Sequence, residues 1–329
     1  MEILLLGLVI GLVLLVLGGE ILVRGAVAAA TKLGVSSLVI GLTLVGFGTS
    51  MPEMVVSVQA VYAGSPGLAL GNIVGSNISN ILLIVGFSAL LLPMAVARST
   101  VIRDGTAVML ATLGFSAICA FLVFDRLVGV FLVLALIGYL TFVFLQERKT
   151  PSDATAEEEA RAAKVSAASV LFSLVVAIVG MVILVTGGTV LVDSAIAIAR
   201  RLSVPDEVIG LTIVAIGTSL PELVTAIAAA IKRETDMALG SVLGSNMFNL
   251  LSIGGVTTVL APAPFVAADQ IVRFDNFVML AATVLLLFMA WTRRRIGRVE
   301  GAVLFTLYIA YIGTLVWYEL SKNPALTTA

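Results

Sequence analysis

The chain has 329 residues, of which 60% are hydrophobic and 12% are charged, with a net charge of −1 and a mean hydropathy of +1.16. Soluble domains usually carry about a quarter charged residues, so this composition predicts a polytopic membrane protein, and no basic tract is long enough to bind nucleic acid. The sequence has no histidine and a single cysteine, which excludes histidine metal sites, serine–histidine triads and an intrachain disulfide.

Ten apolar runs follow one another along the chain, and each is near the length of about 20 residues that a helix needs to cross the hydrocarbon. They cover residues 3–30, 37–62, 69–95, 106–124, 127–146, 167–199, 207–231, 238–260, 273–291 and 300–319. The first run lacks the basic start of a signal peptide, so we interpret it as a spanning helix. Residues 147–166 form a polar linker that separates two sets of five runs.

Lysine and arginine residues indicate the orientation of the spans, because they concentrate in cytoplasmic loops. With the N-terminus outside, fourteen of the 19 basic residues fall in inner loops and five in outer ones. We therefore expect ten spans with both termini outside, a cytoplasmic linker at 147–166, and insertion in the inner (plasma) membrane of a prokaryote. Asp104, Asp269 and Asp275 are expected at loop edges, and Glu20 is expected to pair with Arg24.

The two halves of the chain carry the same motifs at a constant separation. Residues 39–53 recur at 208–222, and the Gly-Ser-Asn-Xaa-Xaa-Asn motif at 75–80 recurs at 244–249, both 169 residues later. This duplication predicts a first five-helix repeat at residues 1–146 and a second at 167–329. Because each repeat has an odd number of spans, the repeats are expected to have opposite orientations, as in transporters that bind substrate near the midplane.

Glu53 and Glu222 occupy matching positions well inside the second and seventh runs. A carboxylate at that depth is costly and normally faces a cavity or a partner on an ion path. The structural alternative is a glutamate hydrogen-bonded to a neighbouring helix, but the sequence offers no lysine or arginine at matching depth. Two such carboxylates predict a site that neutralises one divalent cation.

Each glutamate follows a proline in the motif Gly-Thr-Ser-Xaa-Pro-Glu. Pro52 and Pro221 cannot donate a backbone hydrogen bond, so each predicts a helix break beside the glutamate. Carbonyl groups around residues 46–49 are then available to bind a cation, and the side chains of Thr49 and Ser50 share a face with the glutamate that follows. The alternative is a kinked packing helix, which explains the glycine and the proline but not the glutamate.

The second motif adds uncharged oxygen donors in the third and eighth runs. Ser76 and Asn80 are four residues apart, as are Ser245 and Asn249, and we interpret them as ligands on one helix face. Glycines of the same runs indicate close helix packing, namely Gly71, Gly75, Gly240 and Gly244. All these donors are hard oxygens, which suit sodium, calcium or magnesium, and calcium accepts flexible carboxylate and carbonyl clusters better than magnesium does.

The paired motifs resemble the alpha repeats of the cation/calcium exchanger superfamily, most closely those of its prokaryotic sodium/calcium exchangers. The duplicated layout extends the resemblance to nearly the whole chain. The resemblance implies an all-α fold of ten transmembrane helices in two inverted five-helix repeats, whose first and sixth helices slide across a static core. It also implies a secondary active antiporter that exchanges Ca²⁺ for Na⁺ by alternating access.

The resemblance also implies individual ligands. Calcium would bind to Glu53, Glu222, Thr49 and Thr218. Sodium would bind to the same two glutamates and to Thr49, Thr218, Ser50, Ala215, Ser245, Gly46, Ser76 and Ser219. Asn80 and Asn249 would line the centre. Potassium-dependent members tend to carry aspartate at the central positions, so these neutral amides argue against potassium dependence.

Three alternatives stay open. A calcium/proton exchanger of the same fold would protonate the two glutamates, a cation channel would need no counter-ion, and an intramembrane enzyme would use the carboxylates as acid and base. The missing catalytic partners argue against the enzyme, so we expect no catalytic residues and no cofactor beyond the transported ions. The expected partners are the lipid bilayer and inorganic cations, without nucleic acid or an obligatory protein partner.

Overall fold

The computed structural model describes residues 2–149, 167–201 and 215–322, which are almost entirely helical. The helices are α1 (Glu2–Leu33), α2 (Ser37–Thr49), α3 (Met51–Tyr62), α4 (Pro66–Leu91), α5 (Arg98–Phe121), α6 (Arg126–Lys149), α7 (Ala167–Arg201), α8 (Ala215–Thr218), α9 (Leu220–Ile231), α10 (Thr235–Leu260), α11 (Ile271–Arg293) and α12 (Arg298–Lys322). Two short strands, β1 (Met94–Ala95) and β2 (Arg295–Ile296), pair antiparallel.

Eight of the described helices are long and apolar enough to cross a membrane, and the bent pair of α2 and α3 gives a ninth span. The expected seventh run is represented by α8 and the twelve-residue apolar helix α9; its first part, residues 207–214, lies outside the described residues. Most of the predicted linker 147–166 also lies outside them. The mostly helical, polytopic fold is therefore confirmed, whereas the number of ten spans stays a prediction.

Two helix boundaries differ from the predicted runs by four residues or more. The third run predicts a helix to residue 95, but α4 ends at Leu91. Pro93 is the cause, because a proline pushes the preceding residue towards an extended conformation, and Leu92 has φ −139° and ψ 116°. The fourth run predicts a helix from residue 106, but α5 begins at Arg98 and includes a π-helical segment at Val101–Gly105. The first turns of α5 are polar, so a search for apolar runs does not detect them.

Asp104 and Asp275 lie inside helices, so their predicted placement at loop edges is wrong. Asp104 is fully buried, pairs with Arg103 over 2.8 Å and accepts a 3.0 Å hydrogen bond from the hydroxyl of Tyr139. Asp275 is also buried and accepts a 2.9 Å hydrogen bond from the hydroxyl of Tyr311. These partners satisfy the carboxylates within the bundle. The third aspartate, Asp269, is exposed at a helix start, as predicted.

Helices α1 and α7 pack against each other along most of their length. Five glycines are the points at which an added Cβ would meet the backbone of the other helix: Gly11 at Leu191, Gly18 at Leu184, Gly25 at Ala177, Gly180 at Leu22 and Gly187 at Leu15. Small residues let helix backbones approach closely in lipid. Contacts that lie further along α1 involve residues with lower numbers in α7, so the two helices run antiparallel.

Helices α4 and α10 occupy the centre of the bundle, since their apolar stretches are 83% buried while those of the other six long helices are 17–44% buried. The first residue of α10 lies 169 positions after the first residue of α4, and the same separation holds for their last residues. Both helices contain a π-helical segment. Gly240 and Gly244 contact the carbonyls of Leu38 and Leu42 in α2, which confirms their packing role. The repeat assigns residues 207–211 as partners of Gly71 and Gly75, and these lie outside the described residues.

Contacts between loops show which loops share a face of the bundle. Pairing of β1 with β2 joins the loop after α4 to the loop after α11. Phe124 and Phe265 exchange backbone hydrogen bonds of 2.8 and 3.2 Å, which join the loop after α5 to the loop after α10. The loops after α4 and α11 are both predicted on the inner side, and the loops after α5 and α10 are both predicted on the outer side. The contacts therefore agree with this grouping of the loops. Which face is cytoplasmic stays a prediction.

Candidate ion-binding site

Two helix breaks position the glutamates. The axes of α2 and α3 differ by 43° across Ser50, which has φ −82° and ψ 5°. Ser219 separates α8 from α9 in the same way, with φ −88° and ψ 4°. Pro52 and Pro221 fall in the first turn of the new helix, where a missing N–H leaves no intrahelical bond unmade. Each following glutamate also falls in that first turn, where the helix dipole favours a negative charge.

Glu53 and Glu222 each meet hydroxyl groups from the other half of the chain. They are 1% and 2% exposed. Ser50 donates a 3.3 Å hydrogen bond from Oγ to Oε1 of Glu222, and Thr49 lies close to the same carboxylate. Thr218 lies close to Glu53, and the two carboxylates are close enough to repel each other. The two motifs therefore form one cluster between the halves.

Ser245 of α10 connects this cluster to the backbone of α2. Its Oγ lies 3.3 Å from Oγ1 of Thr49 and 3.4 Å from the carbonyl oxygen of Gly46, to which it donates. The approach depends on the missing side chain of Gly46, because a Cβ there would lie 2.9 Å from the backbone nitrogen of Ser245. Three of the predicted sodium ligands are therefore in mutual contact beside the glutamate pair.

Asn80 and Asn249 lie on the π-helical segments of α4 and α10, and each is 1% exposed. Asn80 donates a 3.0 Å hydrogen bond from Nδ2 to Oδ1 of Asn246. Among the described residues, Oδ1 of Asn80 and both side-chain polar atoms of Asn249 have no hydrogen-bond partner. A buried polar atom without a partner is unfavourable. The two amide oxygens are acceptors that a cation could use, whereas Nδ2 of Asn249 can only donate a hydrogen bond.

Several further oxygen atoms of the cluster are buried without a partner in the part of the chain that the structure describes, namely Oε2 of Glu53, Oε2 of Glu222 and Oγ of Ser219. No lysine or arginine of that part pairs with either glutamate. Burial of a charge costs of the order of several kcal/mol unless it is compensated, and a bound cation compensates it. Carboxylate, hydroxyl, amide and carbonyl oxygens together are the donor set that Ca²⁺ and Na⁺ prefer.

Besides Ser219 and Asn249, whose polar side-chain atoms have no partner among the described residues, two further predicted ligands are not part of this hydrogen-bonded cluster. Ser76 is buried in α4, one turn before Asn80, and makes no hydrogen bond to another predicted ligand within the described residues. Ala215 begins α8, three residues before Thr218, and its side chain lies outside the described part of the chain. Both positions stay predictions.

Sequence reasoning misses Asn72, which fixes the glutamate-bearing helix α3 to α4. Its Nδ2 donates a 3.1 Å hydrogen bond to the backbone carbonyl of Glu53 and a 2.9 Å hydrogen bond to Oγ of Ser57. The sequence could have indicated Asn72, because its amide lies within an apolar run, one turn before Ser76. The matching residue of the second half is Ser241, whose Oγ has no partner among the described residues.

Glu20 pairs with Arg24 over 2.6 Å, which confirms that prediction, and it also pairs with Lys232 over 2.7 Å. Lys232 follows α9, so the second ion pair links α1 to the helix that carries Glu222. The positions that match Glu20 and Lys232 in the other half are Thr189 and Ala63. These residues cannot form an ion pair, so the duplication does not reproduce this contact.

Several known proteins are similar to the chain over nearly its whole length. The model of the family described as sodium/calcium exchanger protein matches residues 3–145 and 172–317. The sodium/calcium exchanger MaX1 of Methanosarcina acetivorans is 34% identical over 353 residues, covering 94% of this chain and 97% of that protein. The inner membrane protein YrbG of Escherichia coli is 32% identical over 320 residues, covering 94% and 96%.

Solved structures of the sodium-calcium exchanger NCX_Mj are also similar to the chain. The structure soaked with 10 mM Na⁺ and zero Ca²⁺ has a TM-score of 0.83 and 32% sequence identity, covering 96% of this chain and 100% of that one. Sequence and fold therefore agree over almost the full length. The chain belongs to the sodium/calcium exchanger protein family.

Proposed function

We propose that the chain is a secondary active antiporter that exchanges Ca²⁺ for Na⁺ by alternating access at the glutamate pair. The observation that carries this proposal is the set of contacts between the halves, in which Ser50 donates a hydrogen bond to Glu222 and Thr49 lies 3.3 Å from Ser245. A site built from both halves is exposed to one side of the membrane or the other when parts of the halves move against each other. Its two carboxylates neutralise the charge of one Ca²⁺.

Overlap of the ion sites couples the opposing fluxes. The proposed calcium ligands are Glu53, Glu222, Thr49 and Thr218. The proposed sodium ligands are both glutamates with Thr49, Thr218, Ser50, Ala215, Ser245, Gly46, Ser76 and Ser219, while Asn80 and Asn249 line the centre. Because both ions need the same two carboxylates, the site holds calcium or sodium but not both, and each ion leaves when the other binds.

The proposal includes ten spans in two inverted repeats. It is supported by α1 and α7, which occupy matching positions in the repeats and pack antiparallel, and by the 169-residue correspondence of α4 with α10. Helices α8 and α9 are the described part of the proposed tenth span. We place both termini outside, in the plasma membrane of a prokaryote, and the description of the relative YrbG as an inner membrane protein supports this membrane.

Sodium is the proposed coupling ion. Beside the carboxylates, the cluster contains neutral oxygen atoms of hydroxyl, amide and carbonyl groups. Sodium can bind to these neutral oxygens, whereas a proton needs only the carboxylates. MaX1 is named a sodium/calcium exchanger, and NCX_Mj structures were obtained with Na⁺ and with Ca²⁺. A calcium/proton exchanger of the same fold is the second candidate, favoured by the two adjacent buried carboxylates, which can take up protons in place of sodium.

Uptake of radioactive calcium tests the function. The purified chain is placed in proteoliposomes loaded with sodium, potassium or choline at equal pH. We expect uptake only with an outward sodium gradient. Uptake that ignores sodium and follows an imposed pH gradient would replace sodium by protons as the coupling ion. Uptake into all three liposomes without any counter-ion would indicate a channel.

The substitution Asn249→Asp tests the centre of the site. A third carboxylate strengthens the attraction for a divalent cation more than for a monovalent one, so we expect the ratio of the half-saturating concentrations of Na⁺ and Ca²⁺ to change by about tenfold, equivalent to about 1.4 kcal/mol. Asn249→Ser keeps a neutral oxygen and serves as the matched control. A folded Asn249→Asp protein with unchanged ion preference would show that Asn249 is not a ligand.

We expect the ion pair of Glu20 with Lys232 to stabilise one of the two conformations of the transport cycle relative to the other. If α1 moves relative to α9, the pair is intact in only one of the two conformations. Glu20→Gln or Lys232→Gln should therefore shift the half-saturating Ca²⁺ concentration on one side of the membrane relative to the other by about twofold to fivefold, the range of a partly exposed pair. The double variant should add nothing further. Additive effects would show that the two residues act separately.

A further inference from the structure

A two-stranded ribbon closes one face of the bundle. β1 precedes α5, and β2 lies in the turn between α11 and α12. Met94 and Ile296 pair on the buried side of the ribbon, whereas Ala95 and Arg295 pair on its exposed side. The turn is tight because Arg294 adopts the left-handed conformation, with φ 50° and ψ 24°. The ribbon therefore holds the adjoining side chains in a fixed arrangement.

Five exposed arginines surround this ribbon, and we call them the arginine surface: Arg98, Arg293, Arg294, Arg295 and Arg298. One acidic residue lies among them, Glu300, which is largely buried, pairs with Arg293 over 3.0 Å and accepts a hydrogen bond from the backbone of Gly297. Arg294, Arg295 and Arg298 have no ion pair in the described part of the chain. Five arginines against one glutamate leave four positive charges in excess.

Exposed apolar side chains border the arginine surface on its membrane side. The guanidinium carbon of Arg98 lies 5.3 Å above the ring of Trp291. Trp291, Phe288 and Val299 are 51%, 64% and 71% exposed, and they lie on α11 and α12, both of which are candidate spans. Since the ribbon lies where these spans end, the arginines are at the depth of lipid headgroups and the apolar side chains at the depth of acyl chains.

We propose that the arginine surface binds the phosphate of an anionic phospholipid, whose acyl chains run along Phe288 and Val299. Arginine binds phosphate through two parallel N–H groups, and four excess positive charges favour a headgroup with a net negative charge over a zwitterionic one. The opposite face differs, because its described arginines are spread over separate elements: Arg126 follows Asp125 in sequence, Arg273 pairs with Asp269 over 3.6 Å, and Arg200 and Arg201 end α7. The preference for anionic lipid therefore belongs to one face.

Lipid binding to the purified full-length chain tests this proposal. Retention of phosphatidylglycerol and of phosphatidylcholine is compared by native mass spectrometry, with soluble glycerol phosphate as a competitor. The triple variant R294Q/R295Q/R298Q is expected to lose about fivefold of the phosphatidylglycerol preference per arginine, roughly a hundredfold in total. The triple lysine variant at the same positions should retain most of it. R126Q/R273Q, at the opposite face, is the matched control and should retain all of it.

A second variant tests the surface without removing any arginine. Ala95→Asp places a carboxylate opposite Arg295 in the strand register and should lower the preference by about fivefold. An unchanged preference in both the triple glutamine variant and Ala95→Asp would overturn the proposal. So would an equal loss in R126Q/R273Q, which indicates general surface charge. Displacement of phosphatidylglycerol by equimolar glycerol phosphate would also overturn it, since the site would then bind free phosphate.

Discussion

Replacing either Glu53 or Glu222 by glutamine is expected to abolish calcium transport, with uptake reduced by about a hundredfold or more. Glutamine keeps the volume of the side chain and can accept the hydrogen bonds from Ser50 or Thr218. It removes the negative charge that compensates the loss of water from Ca²⁺. A lost charge-assisted contact of about 3 kcal/mol corresponds to about a hundredfold in binding.

Calcium uptake by proteoliposomes that contain equal amounts of folded protein measures this effect. The matched control is Asp275→Asn, which also neutralises a buried carboxylate. Asp275 accepts a hydrogen bond from Tyr311 and is not one of the predicted ion ligands, so this variant should transport normally. Near-normal exchange by either glutamine variant would remove the glutamate pair from the mechanism.

The substitution Gly18→Leu is expected to prevent stable folding. An added side chain at Gly18 meets the backbone of Leu184 in α7, and backbone cannot move aside as the end of a flexible side chain can. Overpacking a close contact typically costs about 1–3 kcal/mol, and more where nothing can yield. Since this contact is one of five along the same antiparallel pair, separation of α1 from α7 would disrupt the others as well.

Thermal unfolding of the protein in detergent measures this prediction, with yield of monodisperse protein as a second readout. Gly18→Ala should fall between wild type and Gly18→Leu. Gly114→Leu is the control, because Gly114 is exposed on α5 and a Cβ there would have no described atom within 4 Å. If Gly18→Leu unfolds at the same temperature as the Gly114→Leu control, close packing of α1 on α7 does not support the fold.

Much of the candidate site could be predicted from sequence because the duplication doubles each signal. A single Pro-Glu dipeptide within an apolar run has several explanations, whereas Glu53 and Glu222 at matching positions point to one shared role. The motif predicts that Thr49 and Ser50 share a face with Glu53, whereas the structure places both beside Glu222 of the other half. The sequence therefore predicts the kinds of donor but not which glutamate they meet. Local chemistry of proline also explains why the helix breaks fall next to the glutamates.

Contacts that depend on the tertiary arrangement could not be predicted in this way. Asp104 looks like a loop residue because charge ends an apolar run, but Arg103 and Tyr139 satisfy it inside a helix. The pairing of Glu20 with Lys232 joins residues 212 positions apart that have no charged counterparts in the other half. The sequence repeat predicts features that both halves share, but it does not predict contacts that only one half makes.

Competition between the ions in equilibrium binding tests most directly whether one glutamate pair serves both. Radioactive calcium bound to the purified protein is measured while sodium or potassium is added at constant pH and ionic strength. We expect sodium to displace all bound calcium competitively, potassium to displace none, and Glu222→Gln to bind little calcium at the start. Calcium that stays bound at saturating sodium would show that the two ions occupy separate sites, and would contradict exchange through a shared pair of carboxylates.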